Sequence, residues 1–281
     1  MSGAAAADVQ EAPAPAEQVE AATAASVCAN CGAPRRTPYC GQCGQSAKLH
    51  TRLRHLLQDV VQGIANLDGR VWRTLPLLVL RPGRLSRAWI EGKRVRYVAP
   101  MTMFLFSFFV LFLASNLAGG FIEGIAIGFI DGGATDASPG REGVLERALS
   151  RVAQDPKYYG YKSENLAAQL APLTALLFLP VMALLTLGLR GYTFYDHGVV
   201  TLYGFSFLAL LQAVVLLALG VGGPVLAALL LATAPAHVVA HLRGAYAMTW
   251  PGAVLRGLLL TLIGAVGLMI FLVVIVMLSA L

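Results

Sequence analysis

Four cysteines carry the plainest chemistry in this sequence. Cys28 and Cys31 stand two residues apart, as do Cys40 and Cys43, and each pair is followed by a glycine, Gly32 and Gly44. Two residues between thiolates let a tight turn aim both sulfurs at one metal, and glycine accepts the unusual backbone angle that turn demands. Two such pairs fill a tetrahedral site and leave no position open for substrate, so the spacing predicts a structural Zn2+ rather than a catalytic one. A redox dithiol would want one CxxC on a thioredoxin-like βαβ pattern, which is absent. Iron in a rubredoxin-like site uses similar ligands and stays open as the alternative metal. The connecting stretch APRRTPY is short, which predicts a minimal zinc ribbon over residues 27–46 with Arg35 and Arg36 at its tip. Metal would fold a segment too small to hold a core of its own. No other cysteine occurs in the chain, a clustering that reads as metal binding in a reducing compartment. The ribbon is either a docking module for a partner or a folded cap.

A second set is titratable. Asp196 and His197 precede one apolar run, and His237 and His241 lie near the end of the next. Histidines at i and i+4 share a helix face, where they can ligate one metal or relay a proton. Ionisable groups near a membrane are functional candidates, although histidines within a turn of a helix end also commonly just face water. No serine, histidine and acid arrangement and no phosphate-cradling glycine motif stands out elsewhere. A diiron desaturase would need many more than the five histidines present.

What must position these groups is a membrane region. The chain of 281 residues is 57% hydrophobic and 13% charged, against the usual quarter charged. No charge falls between Arg96 and Glu123, a run long enough to cross a bilayer. Residues 28–98 hold thirteen Lys and Arg against three acids, and Arg81, Arg84, Arg87, Lys93, Arg94 and Arg96 crowd the approach to that run. The positive-inside bias places this collar in the cytoplasm, and its position favours anionic lipid over nucleic acid as the partner. Trp72, Trp89 and Tyr97 are expected as interfacial aromatics.

Hydropathy predicts spans over about 100–118, 170–189, 199–219, 224–241 and 255–278. With the first span running outward, Arg190, Arg243 and Arg256 return to the cytoplasmic side, giving N-terminus in and C-terminus out. In the fourth span Ala228, Ala232, Ala236, Ala240 and Gly244 form a small-residue stripe for close helix packing, and Pro235 should kink the helix. Residues 119–169 carry five basic and seven acidic groups and suit an outer loop that includes a short amphipathic helix over 141–154. Residues 51–66 show apolar residues at helical spacing, and residues 1–26 read as an Ala/Pro/Glu tail too poor in large apolar groups to order.

These motifs together resemble a known plan. The cysteine knuckles with Asp68, Arg70, Arg73, Thr74, Pro82, Gly83, Gly92, Lys93, Arg94, Tyr97 and Pro100 are similar to an uncharacterised family of bacterial zinc-ribbon membrane proteins of unknown function. The resemblance implies an architecture and a bacterial inner membrane, without a reaction. FYDHGVVTLYGFSF resembles the same family's stretch in which an acid and a histidine open a helix; Asp196 takes the acid's place, and Tyr203 stands where a second histidine is expected.

The expectation is therefore an all-α polytopic membrane protein of about five transmembrane helices with a small N-terminal zinc ribbon. The tail is 1–26, the ribbon 27–46, the amphipathic basic juxtamembrane segment 47–98, and the five-helix domain 99–281 with its external loop at about 119–169. Zinc would sit on Cys28, Cys31, Cys40 and Cys43, and lipid or a cytosolic protein partner would meet Arg35, Arg36, Arg84, Arg87, Lys93, Arg94 and Arg96. The best functional reading is a non-enzymatic inner-membrane adaptor or assembly protein. The alternative is a small transporter or intramembrane enzyme using Asp196, His197, His237 and His241.

Overall fold

The computed structural model describes residues 26–47, 68–118, 148, 151–152, 154–187, 189 and 191–280. The tail, the 51–66 amphipathic pattern and most of the outer loop lie outside the described residues.

The cysteine segment is a twelve-residue unit used twice. In the first knuckle the Cys28 N–H donates to the Ala33 carbonyl and the Gly32 N–H to the Cys28 carbonyl; in the second, Cys40 N–H donates to Gln45 and Gly44 N–H to Cys40. Gly32 and Gly44 take φ of 76° and 74°, the left-handed conformation the turn requires. A two-residue antiparallel ladder, β1 (Ser26–Val27) with β2 (Pro34–Arg35), closes the first knuckle, and a Tyr39–Ser46 bridge closes the second. Arg35 therefore pairs back onto Ser26 rather than standing at a hairpin tip, because the ladder that closes a knuckle falls immediately after it.

Seven helices follow among the described residues: α1 (Asp68–Leu80), α2 (Pro82–Ile90), α3 (Pro100–Leu117), α4 (Pro156–Leu185), α5 (Phe194–Leu231), α6 (Thr233–Tyr246) and α7 (Trp250–Ala280). The chain is an all-α polytopic protein with five stretches long and apolar enough to cross a membrane: Pro100–Leu117, Lys157–Leu185, Phe194–Leu219, Gly223–Tyr246 and Trp250–Ala280. The first half of α5 is the centre of the bundle, with 50% of its most apolar window buried, whereas α7 buries 6% of its own and turns Leu255, Leu262 and Met269 outward. Exposed apolar side chains on a spanning helix are what lipid solvates.

Several boundaries differ from the hydropathy reading, for local reasons. The second span begins at Pro156, well before residue 170, since Asp155 caps the helix by accepting from the Tyr158 N–H and Pro156 sits in the first turn. Its opening turns carry Lys157, Lys162 and Glu164, which a helix tolerates and a hydropathy window rejects. At the third junction Gly223, with φ 69° and ψ −171°, breaks α5. Pro235 cannot bond back to Leu231, and the helix is interrupted beside that residue at Ala232, so the small-residue stripe is divided between α5 and α6.

The basic collar is the larger departure. α2 is not laid on the bundle's surface. α2 buries Pro82, Gly83, Leu85, Ser86 and Trp89 and packs on α6. A Cβ on Gly83 would stand 2.4 Å from the Gly244 Cα, so the two backbones touch and neither position admits a side chain unmoved. Trp89, expected at the interface, is 3% exposed and donates its indole N–H to the Tyr195 hydroxyl at 3.0 Å; Trp72 is 79% exposed.

Arginines terminate three helices. Arg87 donates to the Gly244 and Ala245 carbonyls at the end of α6, both at 3.0 Å. Arg256 donates to Leu185 at the end of α4 at 2.8 Å, and Arg151 donates to Ala280 at the end of α7. Each cation meets carbonyls that have no partner in their own helix, at the negative end of its dipole. The Arg151 contact and the 3.3 Å bond from Ser115 to Glu164 bring the end of α3, the start of α4 and the end of α7 to one side of the bundle.

Candidate functional site

The four sulfurs converge. Cys28 Sγ lies 3.6 Å from Cys43 Sγ and Cys31 Sγ 3.5 Å from Cys40 Sγ, with all four within 4.8 Å of one another. A disulfide needs about 2.05 Å. Four sulfurs about 2.3 Å from one tetrahedral ion stand roughly 3.8 Å apart, close to the 3.5 Å and 3.6 Å of these two pairs. Among the described residues this is the only group of three or more cysteine, histidine or acidic side chains gathered closely enough to hold a metal.

Electrostatics point the same way. The N–H groups of Cys43 and Gln42 draw the Cys40 thiol down to about 6. Against its burial, Cys28 is also drawn down, by the N–H groups of Cys31 and Asn30. Cys31 has the Ala33 N–H in its favour, yet desolvation and the neighbouring sulfurs of Cys40, Cys43 and Cys28 push it up to about 12. Four thiolates so close cannot all ionise alone, and a bound dication removes that conflict. The residues fit a metal, which Cys28, Cys31, Cys40 and Cys43 would hold and which would supply folding energy to the knuckles.

The side chain of Gln45 ties the knuckle to the loop that precedes α3. Gln45, 4% exposed, accepts at Oε1 from the Arg94 N–H at 3.2 Å and the Val95 N–H at 3.3 Å, and donates from Nε2 to the Gly92 carbonyl. Its own carbonyl simultaneously takes the Cys40 N–H. The 92–95 loop is thus read by a residue two positions beyond a metal ligand. Val98, a little further on, is held at both ends of its peptide: its N–H donates to Thr74 Oγ1 at 3.0 Å and its carbonyl accepts from the Tyr203 hydroxyl at 2.7 Å. Arg94 lies over the rings of Trp89 and Tyr195, at 5.7 Å and 5.3 Å. Neither Gln45 nor the Val98 contacts were singled out from the sequence. Glutamine follows CxxCG in the second knuckle only, with Ala33 at the equivalent place in the first, and its partners about fifty residues away leave no local signal in the sequence.

The titratable set divides. Asp196 is the third residue of a capping box at the start of α5: it accepts from the Thr193 N–H at 2.7 Å and the Thr193 hydroxyl at 2.9 Å. His197 Nδ1 stands 2.8 Å from the Tyr246 hydroxyl and 3.3 Å from Thr186 Oγ1. His241 Nε2 shares a 2.7 Å hydrogen bond with Ser86, and its ring covers Gly204. His237 stacks on Phe207 and donates from Nε2 to the Leu78 carbonyl at 2.8 Å. That carbonyl has no helical partner because the residue four ahead is Pro82, so the histidine replaces a missing backbone donor. A carbonyl only accepts, which fixes the proton of His237 on Nε2.

His237 and His241 also edge a cavity of about 720 Å³ between α3, α4, α5, α6 and α7, walled mainly by apolar groups such as Phe108, Phe178 and Phe205, with Ser115, Glu164 and Gln212 among its polar members.

Comparison with known proteins gives one match: residues 68–112 fit the model of a family described as "Protein of unknown function (DUF3667)". The matched stretch runs from α1 through α2 and the Gln45-bound loop into α3. No curated protein and no solved structure matches the chain.

Proposed function

We propose that this chain is a non-enzymatic membrane adaptor or assembly protein of a bacterial inner membrane, in which a zinc-folded knuckle is held rigidly at the cytoplasmic face and offered to a partner. The observation that carries this reading is the Gln45 clamp, which ties the knuckle to the 92–95 loop through both ends of one buried amide. A knuckle free on a tether would need no such contact. The orientation follows the charge rule, with the N-terminus cytoplasmic and the C-terminus periplasmic. Arg35 and Arg36 on the knuckle, and collar cations that do not cap helices, are the contacts for anionic lipid or a cytosolic protein. Asp196, His237 and His241 each have a packing partner that accounts for them, which supports a structural use of the polar set.

The alternative, a small transporter or intramembrane enzyme, draws on the cavity that His237 and His241 border. Elemental analysis of the detergent-purified protein separates the two. One zinc per chain, lost in a Cys40→Ser, Cys43→Ser variant, is the adaptor's expectation. A second metal equivalent that survives those changes would move the histidine set to the front and sink the non-enzymatic reading.

A further inference from the structure

The outward face of α2 forms, together with the knuckle, a cleft that none of the contacts above fills. Asn30, between the ligands Cys28 and Cys31, makes one wall; Arg84 and Arg87 of α2, with Glu91 just after its end, make the floor; Lys93 and Arg96 of the following loop make the other side, around about 570 Å³. Four cations thus face one carboxylate. Glu91 is engaged with Lys93 at 3.3 Å, and Arg87 with the end of α6. The guanidinium groups of Arg84 and Arg96 have no hydrogen-bond or ion-pair partner among the described residues, and both residues are exposed. The Asn30 side-chain oxygen is buried with no partner among them either. A half-turn of that amide presents its NH2 instead, a neutral donor suited to an anion.

Unpaired cations held together in a concave surface repel one another, and an anion that enters gains from all of them at once. Planar guanidinium forks match the geometry of a tetrahedral oxyanion, and Lys supplies a point charge at the rim. We propose that this cleft is a phosphate-binding pocket, formed by Arg84, Arg96, Lys93 and Asn30, that exists only while the knuckle holds its metal. The inference rests on the metal-folded knuckle of the adaptor reading and deepens it. Asn30 lies inside the first CxxC, so loss of metal removes one wall of the cleft. Gln45 fixes the loop that carries Lys93 and Arg96, so the same loss frees the opposite wall. Anion occupancy and metal occupancy are thereby linked through contacts already present.

Phosphate of this kind comes from a lipid headgroup or from a soluble ion, and one experiment tells them apart. The full-length protein in a neutral, phosphate-free detergent is titrated calorimetrically with inorganic phosphate, with dihexanoyl phosphatidylglycerol and with dihexanoyl phosphatidylcholine, and zinc is measured on every sample. Saturable binding of inorganic phosphate supports a free-anion pocket; binding of phosphatidylglycerol alone supports a headgroup pocket. In either case affinity should fall at least tenfold in Arg84→Gln, Arg96→Gln and in Cys40→Ser, Cys43→Ser, severalfold in Asn30→Ala, and less than twofold in Arg81→Gln, which lies outside the cleft.

Wild-type protein that carries one zinc and binds neither anion overturns the pocket and leaves the ribbon standing. So does unchanged affinity in the zinc-loaded Arg84→Gln, Arg96→Gln variant, or phosphatidylcholine binding as tight as phosphatidylglycerol. Phosphate binding by wild-type protein that holds no metal overturns the pocket's dependence on metal and the ribbon reading together.

Discussion

Replacing Gln45 by alanine should release the knuckle from the membrane region without emptying its metal site. The side chain is 4% exposed and makes three bonds to the 92–95 loop. They are not equal. The Arg94 N–H also reaches the Gly92 carbonyl at 3.0 Å, so each of those two groups keeps a partner in the variant. Val95 N–H loses the only acceptor it has among the described residues. A half-buried donor stripped of its acceptor costs about 1–2 kcal/mol, and the lost Gly92 bond adds about 0.5–1, for a loosening of about 2 kcal/mol. At 1.4 kcal/mol per decade this is roughly a 30-fold rise in the opening equilibrium. Hydrogen exchange of a peptide covering Val95, read by mass spectrometry in detergent, should accelerate by that factor while zinc content stays at the wild-type value. Exchange within threefold of wild type, with zinc retained, would refute the clamp.

Four further expectations follow from the packing. Gly83→Val should be among the most damaging single changes in the chain, by more than about 3 kcal/mol, since the new side chain meets the Gly244 backbone at 2.4 Å and backbone cannot rotate away; a detergent thermal melt unchanged by this variant would contradict the contact. His237→Leu should destabilise by about 1–3 kcal/mol by stranding the Leu78 carbonyl, whereas His237→Gln, which keeps a donor, should recover most of it; equal losses in both would show that the ring and not the hydrogen bond matters. Arg87→Met should lower the melting temperature, because the Gly244 and Ala245 carbonyls lose their cation; the matched Arg84→Met should not, as Arg84 caps no helix. Chelation should expose the 26–47 segment to limited proteolysis while the five-span core persists as one fragment; survival of the knuckle without metal would overturn its structural role.

What could be read directly was whatever depends on local spacing or on bulk apolarity. The two CxxCG repeats give the knuckle because the turn that aims both sulfurs is completed within six residues, and the positive φ of Gly32 and Gly44 follows from the same turn. Five spans follow from unbroken apolar runs, since lipid selects on composition alone. Span ends were less legible: capping by Asp155 and helix-compatible polar turns extend α4 beyond its apolar run, and a single glycine, Gly223, sets the break in α5.

Only the tertiary structure decided which polar groups are engaged. A basic stretch beside a span reads as a lipid collar, yet Arg87 turns inward to α6 and Arg94 lies over two aromatic rings. Asp196, His197, His237 and His241 look like one cluster on a topology diagram, but three of their partners, Leu78, Ser86 and Tyr246, lie from about 50 to 160 residues away along the chain. Hydrogen bonding is directional and short in range, so it answers to where the backbone brings atoms within about 3 Å. Residue type in the sequence declares what a group can do. The meeting of α2 with α6 at Gly83 and Gly244, where two glycines leave room for two backbones, settled what these groups do here.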